Sequence, residues 1–168
     1  MRKSLDFLYD SAAALAALFL VGLLVMVLLS IIGRQLHFNL PGIDAYAGYL
    51  MAGSGFLALA HTLKHGEHIR VTLILQSLRP RAQRWLERWA MGFGALLAVV
   101  FAYFSARLVW QSIEYNDIST GNDATPLWLP QLGMAVGAFV FAVAALDEFV
   151  IEWNGRPLKT PTDALRHE

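Results

Sequence analysis

The chain has 168 residues, 57% of them apolar, and its 13 Lys+Arg are balanced by 13 Asp+Glu. Counting its 13 glycines lifts the apolar share to about 65%, against roughly 45–50% for soluble globular chains, so an ordinary soluble domain is excluded. A chain with 15% charged residues and no net charge lacks the basic face of a nucleic-acid binder, and the absence of Cys removes disulfides, thiolate metal sites and thiol nucleophiles.

The first predicted element is a membrane span over 11–33. Ser11 to Gly33 is 23 residues without a charge, and as a helix it reaches about 35 Å, enough to cross a bilayer. Arg2 and Lys3 precede it as in a signal peptide, but the apolar stretch exceeds the ~7–15 residues of a signal core and ends at no small-residue cleavage site, so an anchor is expected. A second span is predicted over 45–63, between Asp44 and Lys64. A third runs over 89–110, with 18 uncharged residues before Arg107, and a fourth over 124–146, closed by Asp147 and Glu148. The 25 residues from Lys64 to Arg88 cannot bury a core of their own. The expected fold is therefore an all-α membrane protein, one four-span domain over 1–168.

Cytoplasmic loops retain positive charge during insertion. Of the 13 Lys and Arg, 11 lie at the N-terminus, in the segment between spans two and three, and in the tail, leaving only Arg34 and Arg107 for the other side. Both termini are thus expected in the cytoplasm. Within the central segment, Ala82, Trp85, Leu86 and Trp89 recur at helical spacing after Pro80, with Arg81, Arg84, Glu87 and Arg88 on the other face. That pattern predicts an amphipathic interfacial helix over about 70–88, with Val71, Ile74, Leu75 and Leu78 repeating the spacing before the proline.

Helices in lipid associate through close packing of small residues. Candidate seams are Ala45, Gly48, Ala52 and Gly55 in span two; Gly94, Ala98, Ala102 and Ala106 in span three; and the Gly133/Gly137 pair in span four. Each suits a neighbouring helix, in this chain or in another.

Candidate chemistry is sparse. His61, His65 and His68 fall at i, i+4 and i+7 with Glu67 nearby, a spacing open to metal ligation, yet Gly66 interrupts the helix and no ligand set results. Haem held between histidines needs facing ligands on two spans, and only His61 lies inside one. The span interiors hold no Asp, Glu, Lys or Arg of the kind that marks an ion path, because Arg34, Asp44, Arg107 and Asp147 sit at span ends. Arg34 and Asp44 are read as anchor residues; a pair across the short outer loop is open to them but, being solvent-accessible, would contribute little. The Gln111–Thr125 loop carries Glu114, Asp117 and Asp123 with no Lys or Arg, an acidic surface open to docking. No nucleophile–base cluster or phosphate-binding loop is present, so no enzyme is expected and no cofactor or metal site is predicted.

Two stretches carry a family resemblance. Gly66-Glu67-His68-Ile69-Arg70-Val71 after the second span, and Thr125-Pro126-Leu127-Trp128-Leu129-Pro130-Gln131 at the start of the fourth, with Arg34 after the first, resemble the small membrane (DctQ-type) subunit of tripartite ATP-independent periplasmic (TRAP) transporters. The chain departs from that pattern at Thr72, where the family usually has Asp, and before span two, where Asp44 stands without the Trp and paired acids often found there. The resemblance implies a subunit of the bacterial inner membrane with no transport site of its own. Its implied partners are a large multi-span permease subunit, which couples organic-acid uptake to the sodium gradient, and a periplasmic solute-binding protein. Structural or partner-contact candidates are Arg34, His68, Arg70, Trp85, Trp89, Ala98, Ala102, Trp128, Gly133 and Gly137, in a protein that also meets membrane lipid. The alternative is a haem-binding membrane anchor of a respiratory enzyme.

Overall fold

The computed structural model describes residues 2–38, 40–64 and 80–153. They form four helices: α1 (Arg2–Gln35), α2 (Ile43–Lys64), α3 (Pro80–Glu114) and α4 (Trp128–Trp153). Outside them lies a single isolated bridge between Ile118 and Pro126 among the described residues. Three helices, α1, α3 and α4, are long and apolar enough to cross a membrane. The shorter α2 interleaves Asp44, two tyrosines, Ser54, His61 and Thr62 with its apolar residues.

The helix ends are built by local chemistry. At the end of α1 the Phe38 N–H donates to the Gly33 carbonyl at 3.0 Å while His37 takes φ 56°. At the end of α3 the Asp117 N–H reaches Ser112 O at 3.0 Å and the Asn116 N–H reaches Ile113 O at 3.3 Å, with Asn116 at φ 50°. Both are left-handed caps that satisfy the last carbonyls. Pro80 stands at the first position of α3, where a missing N–H costs nothing.

The helices lie side by side in the order α1, α2, α4, α3: α2 packs on α1 and α4, α4 packs on α3, and α1 barely meets α4. One cluster joins Tyr9, Ala12 and Ala16 of α1 to Leu57 and Ala60 of α2 and Ala144 of α4. A second joins Ala95 and Ala98 of α3 to Ala142 and Ala145 of α4. A row has two edges, and α1 and α3 occupy them. Their outer faces, including Leu18, Leu24 and Ile31 on α1 and Leu96, Val100 and Phe104 on α3, remain exposed. An apolar surface this continuous is at rest only against lipid or another protein.

The boundaries differ from the sequence reading in three places. The helix of span four begins at Trp128, not Ala124, and continues through Asp147 and Glu148 to Trp153. Residues before it fold back instead: the Ser119 N–H donates to Thr125 O at 2.8 Å and the Leu127 N–H to Asp117 O at 3.0 Å, with Ala124 at φ 47°. The helix of span one begins at Arg2, nine residues before its uncharged stretch. The amphipathic turns from Pro80 to Arg88 form no separate surface helix; they are the first turns of the 35-residue α3. At about 52 Å that helix exceeds the ~30 Å hydrocarbon layer, so its charged end projects beyond the apolar zone as a continuation of the span. The part of the interfacial segment before Pro80 lies outside the described residues.

Candidate functional site

The seams between helices decide which faces are left for other molecules. Gly137 of α4 sits so close to α2 that a Cβ there would stand 2.5 Å from the Phe56 carbonyl carbon and 2.8 Å from Leu57 N. One turn earlier, Gly133 lies against Gly53 Cα with room for a methyl group at 3.5 Å. Gly53 in turn receives the Phe19 ring of α1. The Gly133/Gly137 pair is therefore the α2–α4 joint, and Gly53 extends it to α1.

Ala98 is buried in the α3–α4 joint and Ala102 packs at its margin. Of the other residues of that predicted seam, Gly94 has open space around it and Ala106 is exposed. On α2 the packed positions are Gly53, Ser54, Leu57 and Ala60. The predicted stripe falls on another face: Gly48, Ala52 and Gly55 are exposed, with nothing near either glycine. Both stripes have helical spacing, and only the helix rotation set by neighbours distinguishes them.

At the end of the row carrying the α1–α2 and α3–α4 loops, the two loops are locked together. Gly42, at φ +81°, comes so close to Asp123 that a Cβ would lie 2.6 Å from the Asp123 Cβ, so glycine is required by both conformation and space. Tyr49 donates its hydroxyl to Asp123 Oδ2 at 3.0 Å and Ser119 donates to Asp123 Oδ1 at 2.7 Å. Thr125 Oγ1 lies 3.1 Å from the Tyr46 hydroxyl, and the Tyr46 and Tyr49 rings meet edge to face at 6.0 Å. Hydrogen bonds from Ser119, then Thr125 and Tyr49, hold the Asp123 carboxyl down at about 2, against an ordinary 3.8. Sequence reading missed this network. The available signal was Tyr46 and Tyr49 at i, i+3, both beside a turn-rich loop bearing acceptors.

Arg34 is exposed at the last turn of α1, beside an open cleft of about 520 Å³ that also touches Ser30, His37, Gly42 and Asp44. Among the described residues Arg34 and Asp44 do not pair; Asp44 accepts from the Ser30 hydroxyl at 3.2 Å. A serine one turn below Arg34 reaches the carboxylate first.

At the opposite end, polar contacts tie α1 to α2. Lys64 pairs with Asp6 and stands 4.9 Å over the Tyr9 ring, and His61 Nδ1 is 3.7 Å from Asp10. Tyr9 itself is buried among α1, α2 and α4. Among the described residues no group of His, Asp and Glu suits a metal ion. His68 and Arg70, with His65 and Glu67, lie outside the described residues. Trp85 and Trp89 are exposed on α3, and Trp128 is half-buried as the first residue of α4.

The arrangement holds no reaction centre among the described residues. Its organised features are helix joints, a cross-linked loop pair and long apolar edges. The family model for tripartite ATP-independent periplasmic transporters, DctQ component, matches residues 23–155, most of the chain. The chain belongs to the DctQ family. It is a component of a TRAP transporter, a multi-pass protein of the inner membrane, in a family of transporter components and not of enzymes. Comparison with curated proteins and with solved structures gave no match. The matched stretch takes in the last turns of α1, the whole of α2, α3 and α4, and both loops, so the α2–α4 and α3–α4 joints and the loop network lie in the family region, while Phe19 and the first turns of α1 precede it. A haem anchor is not favoured: the family is a transporter component, and His61 sits against Asp10.

Proposed function

We propose that this DctQ chain is the scaffold subunit of a sodium-coupled, binding-protein-dependent importer of organic acids, packing against a large permease subunit that carries the transport site. The observation that carries this reading is the open row of helices in a DctQ-family chain, with long apolar edges on α1 and α3 and no charged residue in the span interiors. A transporter moving ions by itself needs polar or broken helices at mid-membrane. A scaffold needs rigid helices and a broad apolar face, which is what the joints and edges supply.

In this reading α2 is the fourth span, since its 22 residues reach about 33 Å and its polar positions lie near both ends and along its packed face. Both termini lie in the cytoplasm, as the distribution of Lys and Arg favours. The Tyr49–Asp123 loop pair then faces the periplasm, as a stiff surface beside the solute-binding protein. Arg34 and Trp128 mark span ends.

The test is gentle extraction of the tagged full chain from its native membrane, mass spectrometry of what accompanies it, and a visible spectrum of the same sample. Co-purification with a much larger multi-span permease, without a Soret band, is the expected result. A chain isolated intact and alone, or one carrying haem with soluble redox subunits, overturns the reading.

A further inference from the structure

Between the N-terminal third of α3 and the C-terminal end of α4 lies a groove of about 460 Å³. Trp89, Phe93 and Leu96 form one wall, and Phe149 and Trp153 the other. Gly92 brings the walls together at the floor, where a Cβ would stand 3.0 Å from the Phe149 ring. The Trp89 and Phe93 rings stack at 5.7 Å and 7°, giving one flat aromatic wall, and Phe149 and Trp153 meet tilted at 5.8 Å and 45° in the other. Trp85, Trp89 and Trp153, each more than half exposed, gather at the same end. Clustered tryptophans of this kind sit at the membrane–water boundary.

Among the lining residues Arg88 alone carries a charge. Its guanidinium lies 5.7 Å from the Trp153 ring centre. Its Nε is buried, with no hydrogen-bond partner among the described residues. The nearby Glu87 carboxylate accepts instead from Gln83 Nε2 at 3.1 Å. A partly buried guanidinium donor needs an acceptor, and a charge over an aromatic wall favours an anion on its open side. At membrane-interface depth, the molecule that brings an anionic oxygen and a long apolar chain together is a phospholipid.

We propose that this groove binds an anionic phospholipid, its phosphate on the Arg88 guanidinium and an acyl chain lying along the Trp89–Phe93 and Phe149–Trp153 walls. The site rests on α3 and α4 spanning the membrane and is independent of the scaffold role. An annular lipid held here fills the cleft at the edge of the row and fixes the tilt of the projecting end of α3.

Bilayers containing the full chain and brominated phosphatidylglycerol, or brominated phosphatidylcholine at the same fraction, test it through tryptophan quenching. Three of the five tryptophans line the groove, so bromine in the site quenches most of the signal. One arginine at the surface is worth about 1 kcal/mol of attraction for anionic lipid, so about a fivefold preference for the brominated phosphatidylglycerol is expected. Arg88→Gln should abolish the preference and Arg88→Lys should keep part of it. Lys64→Gln removes a charge at the same end, away from the groove, and should leave it intact. Equal quenching by the two lipids overturns the proposal, as does an equal loss in the Lys64 variant, which would mean diffuse surface charge. Loss of quenching by both lipids when the native partner subunit is present also overturns it, since the groove is then a protein interface. Far-UV circular dichroism of each variant separates loss of the site from loss of the fold.

Discussion

Replacing Gly137 by alanine places a methyl group 2.5 Å from the Phe56 carbonyl carbon and 2.7 Å from its oxygen, atoms of α2's own backbone that cannot rotate aside. Ordinary contact begins about 0.9 Å farther out, so α2 and α4 must separate by that order or α4 must turn. A gap of 0.5–1 Å forfeits roughly a quarter to a half of the dispersion energy of each contact it opens. Overpacking of this kind costs about 2 kcal/mol, about thirtyfold in the folding equilibrium. Gly133, one turn away on the same face, is the matched control, because its methyl group would meet Gly53 Cα at 3.5 Å and the Phe19 ring at 3.6 Å, which is normal packing. Gly133→Ala should therefore be neutral or gain up to ~1 kcal/mol from helix propensity. Equilibrium unfolding of the full chain in mixed micelles, titrated with sodium dodecyl sulfate and followed by circular dichroism, measures both. Equal stability of the Gly137 variant and the parent, or an equal loss at Gly133, would refute the α2–α4 joint as described.

Other outcomes follow from the same geometry. Ala98→Leu should destabilise the chain by about 1–3 kcal/mol even without any partner, because Ala98 is buried between α3 and α4; loss of partner co-purification with unchanged chain stability would show the joint to be intermolecular. Tyr49→Phe removes the hydroxyl donated to Asp123, so amide hydrogen exchange in the 116–127 loop should speed up while the helix cores keep their protection. With its folded value depressed to about 2 from 3.8, Asp123 contributes its full stabilisation above pH 4 and loses it as pH falls through about 2. Loop exchange corrected for intrinsic rates should accordingly stay flat from pH 7 to 5, and a transition inside that range would contradict the network. Asp6→Asn breaks the pair with Lys64 at a part-exposed site and should cost less than about 1 kcal/mol in the unfolding titration.

Much of the architecture was written in composition and local pattern. Twenty-three uncharged residues in a row leave a bilayer-crossing helix as the one inexpensive conformation, and Pro80 starts a helix while His37 and Asn116 end helices through chemistry that needs only neighbouring residues. The Thr125–Gln131 and Gly66–Val71 stretches and the overall length carry the resemblance to DctQ in the sequence itself. Hydropathy misread the start of α4, because Ala124 and Leu127 are apolar yet belong to the loop, Ala124 at positive φ and the Leu127 N–H donating to Asp117 O, and it missed the first turns of α1, whose Asp6 and Asp10 find partners on α2. Tertiary structure alone decided which stripe of small residues is used. Gly48, Ala52 and Gly55 share a helical face as regularly as Gly53, Leu57 and Ala60, and spacing is blind to rotation about the helix axis. The close approach of Gly137 to the Phe56 backbone and of Phe19 to Gly53 sets that rotation, turning one face inward and leaving the other outward. The Arg88 groove and the Tyr49–Asp123 lock arise the same way, from residues far apart in the chain that become neighbours only when α4 lies between α2 and α3.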